Sequence, residues 1–122
     1  MLPLIEHMLT AYKTWQSQVD NLPRKSRYTL GSKIDVAFIS VLELLFVASY
    51  QTPREKTATL LSALRRFDVL KFLLRVAWEM HAIDTAFYAR ISLQMDETGK
   101  MLGGWYRGIA SKTPPAGGER RE

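Results

Sequence analysis

Few residues in this chain are equipped for chemistry. There is no cysteine, which removes disulfides, thiolate zinc sites and cysteine nucleophiles together. The two histidines, His7 and His81, are too few for a histidine-rich metal cage. Glu79-Met80-His81 is the nearest approach to the Glu-x-x-His pair of di-iron bundles, and its spacing is wrong. A helical ribonuclease of the Arg-x4-His type needs four residues between its Arg and His, but Arg75 and His81 are six apart. No phosphate loop and no His-Glu-x-x-His motif is present. His81 falls on the apolar side of its helix and reads as a tucked-in residue at the helix end; Glu6-His7 reads as a surface pair. The expectation is a protein that is not an enzyme and needs no cofactor.

The remaining candidates are cations. Lys and Arg number 17 against 12 acidic residues, for a net charge of +5. Such a balance suits an anionic partner such as nucleic acid. Lys71 and Arg75 are four apart, so on a helix their charges lie side by side. They are met either by Asp68 and Glu79, through Asp68–Lys71 and Arg75–Glu79 pairs, or by an external phosphate. Arg65-Arg66 points in two directions around the same helix, and Arg24-Lys25-Ser26-Arg27 reads as a loop. All of these suit phosphate contact.

Helices must position these residues, because nothing in the sequence reads as strand. Ile5, Met8, Tyr12, Trp15, Val19 and Leu22 are spaced 3, 4, 3, 4, 3, which predicts a first helix over about 3–21. A second is expected over about 28–50, apolar almost all round from Ile34 onward. Thr52-Pro53-Arg54-Glu55 reads as a capping box that starts a third helix over about 53–80. Asp84 is a good N-cap for a fourth over about 84–111, whose apolar period runs Phe87, Ile91, Met95, Thr98, Leu102, Trp105, Ile109. Residues 113–122 are rich in Pro, Gly and charge and are expected to form a disordered tail. Four helices with short connections predict an all-α, antiparallel up-down-up-down four-helix bundle over residues 1–112.

Two features exceed what a monomeric bundle needs. On the third helix Val69, Phe72, Val76 and Met80 widen the apolar zone past half the circumference, and the second helix has the same excess. Self-association is the economical reading. In the fourth helix, Gly99 and Gly103 are four apart, as are Gly104 and Gly108. Each pair predicts a flat strip against which another helix packs closely.

The longest apolar stretch, Ile34 to Ala48, contains Asp35, Ser40 and Glu43 and is too short and too polar to span a bilayer. Met1-Leu2-Pro3-Leu4-Ile5 lacks the basic region of an export signal, so a cytoplasmic location without membrane contact is expected.

Three stretches together resemble a known family. They are Pro23-Arg-Lys-Ser-Arg-Tyr-Thr-Leu-Gly-Ser-Lys-Ile34, Leu70-Lys-Phe-Leu-Leu-Arg-Val-Ala77 and Gly99-Lys-Met-Leu-Gly-Gly-Trp105. They look like the start of the second helix, the third helix and the C-terminal signature of Avd, the accessory variability determinant of diversity-generating retroelements. The four-helix-bundle proteins encoded in ribosomal-RNA intervening sequences share much of this pattern, and such an interaction protein, without a reverse-transcriptase partner, is the alternative. The Avd resemblance implies a barrel-shaped homopentamer that binds RNA or DNA and the element's reverse transcriptase, in a complex that makes error-prone cDNA for mutagenic retrohoming. It implies no catalysis by Avd itself. Lys71 and Arg75 match the family's basic pair in the third helix, which is linked to partner binding. Lys71 stands where the family pattern has Arg, so a point charge replaces a bidentate fork. Trp105 and the Gly99–Gly104 strip match as packing elements.

Overall fold

The computed structural model describes residues 2–112; the tail expected over 113–122 lies outside the described residues. Helix α1 is Pro3–Val19, with Pro3 in its first turn. Helix α2 starts as an α turn at Arg24–Ser26, passes through a π turn at Arg27–Gly31 and continues as α-helix over Ser32–Ala48. Helix α3 is Pro53–Glu79 and α4 is Thr85–Lys112. Among the described residues there is no strand. Helix α1 packs on α2 and α4, α2 on α3, and α3 on α4, which closes a four-helix bundle. Connections of a few residues make consecutive helices antiparallel.

The heptad-like spacings of the sequence become the core. Ile5, Met8 and Trp15 from α1 meet Ile34, Phe38, Val41 and Leu45 from α2, Leu60, Phe67, Leu70 and Leu74 from α3, and Ile91, Met95 and Leu102 from α4. Trp15 and Phe38 stack with centroids 6.4 Å apart. Each fully buried large side chain contributes about 1.5–3 kcal/mol of transfer free energy.

Local chemistry sets the helix ends. The Thr52 hydroxyl accepts from the Glu55 amide at 3.4 Å, and the Glu55 carboxylate accepts from the Thr52 amide at 3.1 Å. Asp84 Oδ1 accepts from the Phe87 amide at 2.8 Å and caps α4. At the end of α3, the Ala82 amide reaches back to the Ala77 carbonyl at 2.8 Å and the His81 amide to Trp78 at 3.0 Å. This is the Schellman pattern, in which a left-handed residue follows the helix. That residue is His81, with φ 61°. It ends the helix as expected, but it is exposed rather than tucked in, because the left-handed turn carries it away from the core.

Two further expectations change. Arg24–Arg27 is helical, not a loop: the Ser26 and Arg27 amides both bond to the Pro23 carbonyl, at 2.9 and 3.0 Å, and Pro23 needs no donor of its own at a helix start. The glycine strip divides. A Cβ on Gly99 would lie 3.0 Å from the Phe67 ring, so α3 and α4 do approach closely there. Gly103 is covered by Arg107 of its own helix, and Gly104 and Gly108 face open space within this chain.

Candidate nucleic-acid interface

The seven candidate cations fall at three places. Lys71 and Arg75 lie one turn apart on α3, at its border with α4. Lys71 Nζ is 3.2 Å from Asp96 Oδ1 of α4, not paired with Asp68 of its own helix. Arg75 Nε donates to Glu79 Oε2 at 2.9 Å, the pairing that its spacing suggests. That hydrogen bond, with the Glu79 charge, pushes the Arg75 guanidinium further up from its ordinary range. Both pairs are open to water, with side-chain exposures of 44% for Lys71 and 62% for Arg75. Ion pairs this exposed are weak, so a phosphate can compete with the carboxylates.

Arg65 and Arg66 are exposed in mid-α3. Both border one shallow depression of about 260 Å³ between α2 and α3, beside Ala37 and Val69. Neither forms an ion pair among the described residues.

Arg24, Lys25 and Arg27 lie at the start of α2. Arg24 and Lys25 are exposed and form no ion pair among the described residues. Arg27 is partly buried and has a structural task. One of its terminal nitrogens, Nη2, donates to the Asp20 carbonyl at 3.1 Å and to the Leu22 carbonyl at 3.2 Å. It thereby satisfies carbonyls left over where α1 ends. The adjoining π turn brings Gly31 against Leu22, where a Cβ would lie 3.0 Å from Leu22 Cδ1.

Sequence reasoning missed three features. Asp96 is on the α4 surface, and its meeting with Lys71 depends on how two helices align. Tyr28 stands on the π turn with 70% of its surface exposed; its signal was its place four residues after Arg24. Trp78 and Tyr88 stack with centroids 4.7 Å apart across α3 and α4. Trp78 Nε1 donates to Thr85 Oγ1 at 3.1 Å beside a cleft of about 620 Å³ that Arg75, Glu79 and His81 also line.

The apolar excess of the middle helices lies on their outer faces. Val36, Ile39 and Phe46 of α2, Tyr50 just beyond its end, Val69 and Phe72 of α3 and Met80 at its C-cap are exposed. Among the described residues no group of three or more acidic or histidine side chains is placed to hold a metal ion. Nor is any helix among them long and apolar enough to cross a membrane.

No curated protein matches this chain. A family model does: residues 1–109 match the bAvd-like family. With that match spanning all but the last turn of the bundle, the chain belongs to the bAvd-like family.

Proposed function

We propose that this protein is the non-catalytic accessory subunit of a diversity-generating retroelement, acting in the cytoplasm. It binds the element's reverse transcriptase and nucleic acid during mutagenic retrohoming. The observation that carries this reading is the family match over residues 1–109. The surface supports it. Exposed cations at the three places described present positive charge without a base-reading motif, which suits phosphate contact of low sequence preference. Lys71 and Arg75 are the residues assigned to partner binding.

The protein acts as a homo-oligomer, a pentamer in this reading. The exposed apolar residues of α2 and α3 are the surface that self-association would cover. Five chains of 14.0 kDa give about 70 kDa.

Co-expression with the reverse transcriptase encoded in the same element tests the reading. The tagged protein is expected to retain the transcriptase through purification and gel filtration. The Lys71→Ala/Arg75→Ala variant should retain much less of it while keeping its helicity and oligomer mass. Failure of the unsubstituted protein to retain the transcriptase would contradict the assignment.

A further inference from the structure

We infer that Tyr28 is a stacking platform for an unpaired base of a single strand whose phosphates lie on Arg24 and Lys25. The inference rests on the nucleic-acid reading above and narrows its ligand to single-stranded RNA or DNA.

Four observations converge on this place. Tyr28 is 70% exposed, and no aromatic ring among the described residues packs on it. Arg24 and Lys25 precede it by four and three residues, so they project from the same side of the helical start one turn away. Unlike Lys71 and Arg75, these two cations have no carboxylate partner among the described residues. A cleft of about 410 Å³ opens beside the ring between α1 and α2, walled by Gln16, Val19, Gly31 and Asp35.

The platform is held firmly. Arg27 ties the π turn to the end of α1 through Asp20 and Leu22. Asp35 Oδ1 accepts from Tyr12 at 2.9 Å and also from Gln16, which joins α1 to α2 along the cleft. Single π turns recur at functional sites. This one sets an aromatic ring outward beside two cations that form no ion pair among the described residues.

Charge fixes the polarity of the complex. On the cleft wall the Asp35 carboxylate offsets the partly buried Arg27, whereas Arg24 and Lys25, unpaired among the described residues, present positive charge that attracts phosphate. The sugar-phosphate chain therefore runs on the cation side and a base turns toward the ring and cleft. A duplex keeps its base faces inside its own stack and offers none to Tyr28, whereas every base of a single strand has a free face.

The test is a fluorescence titration of the purified full-length protein against an unstructured single-stranded RNA and a duplex of equal length, at fixed salt. Light scattering is run on each sample. The unsubstituted protein is expected to bind the single strand more tightly. Tyr28→Ala should lose about tenfold or more on the single strand and little on the duplex, with oligomer mass unchanged. Tyr28→Phe, which keeps the ring, should bind as the unsubstituted protein does. If Tyr28→Ala leaves single-strand affinity unchanged, or weakens both ligands equally, the inference is overturned while nucleic-acid binding stands. Loss of oligomer mass in Tyr28→Ala would also overturn it and make Tyr28 a contact between copies. Binding of neither ligand by the unsubstituted protein would overturn the broader reading and this one with it.

Discussion

Lys71 Nζ on α3 lies 3.2 Å from Asp96 Oδ1 on α4, so the one lysine of the basic pair is neutralised by the neighbouring helix. The pair is exposed and adds little to stability. Its larger effect is on what the surface offers a polyanion. Asp96→Asn should leave the melting temperature nearly unchanged. Nucleic-acid affinity at low salt should rise about two- to fivefold, because Lys71 is released and a repelling charge removed. Thermal unfolding and a binding titration on the same sample check both parts.

The glycines of α4 should respond oppositely to one added methyl group. At Gly99 the new Cβ would meet the Phe67 ring at 3.0 Å. Overpacking of this kind costs about 1–3 kcal/mol, against up to about 1 kcal/mol gained in helix propensity. Gly99→Ala should therefore destabilise. At Gly104 nothing lies within 4 Å of the added atom, so Gly104→Ala should stabilise by up to about 1 kcal/mol. Denaturant unfolding of the two variants separates them by sign.

His81 holds a left-handed conformation, φ 61°, at a position where glycine is the usual residue. Glycine adopts this conformation without the Cβ clash. His81→Gly should raise stability by about 0.5–1 kcal/mol. Nucleic-acid and transcriptase binding should not change. A loss of binding would assign the exposed imidazole to the interface.

Tyr12 gives the fold a dependence on alkaline pH. Burial, then its hydrogen bond to Asp35 and that residue's charge, raise its pKa above the ordinary value of 10.0. The folded state holds the phenol proton more tightly than the unfolded chain. The stabilisation is thus complete below pH 10 and is lost as pH rises through the folded-state pKa. Tyr12→Phe should be less stable than the unsubstituted protein below pH 10, and its stability should fall less steeply above it. Chemical denaturation across that window measures the difference.

The parts of the fold set by neighbours in sequence were legible. The 3- and 4-residue spacings from Ile5 to Leu22 and from Phe87 to Ile109 place one stripe of each helix inward, and Thr52–Glu55 closes on itself within a single turn. Arg75–Glu79 is a contact of the same local kind. What depends on the alignment of two helices was not legible. Lys71 meets Asp96 because of the register of α3 against α4, while Asp68 was the only acid that helical spacing offered it. The same limit applies to Gly99, which faces Phe67, and Gly104, which faces nothing, although both sit in one glycine-rich stretch. Arg24–Arg27 has no apolar period, so its helical turn and the structural task of Arg27 emerge only once Leu22 and Asp20 are in place beside it.

The salt dependence of nucleic-acid binding tests the central claim most directly. If five copies assemble as proposed, one particle would carry five times +5, about +25. Each phosphate contact contributes a slope of about −0.7 to −0.9 in log K against log[salt]. Binding to an RNA or DNA of arbitrary sequence should therefore weaken on the order of a hundredfold between about 50 and 200 mM salt. Lys71→Ala/Arg75→Ala should flatten that slope more than Arg120→Ala/Arg121→Ala. Absence of binding at the lowest salt, or an affinity that salt leaves unchanged, would contradict the account.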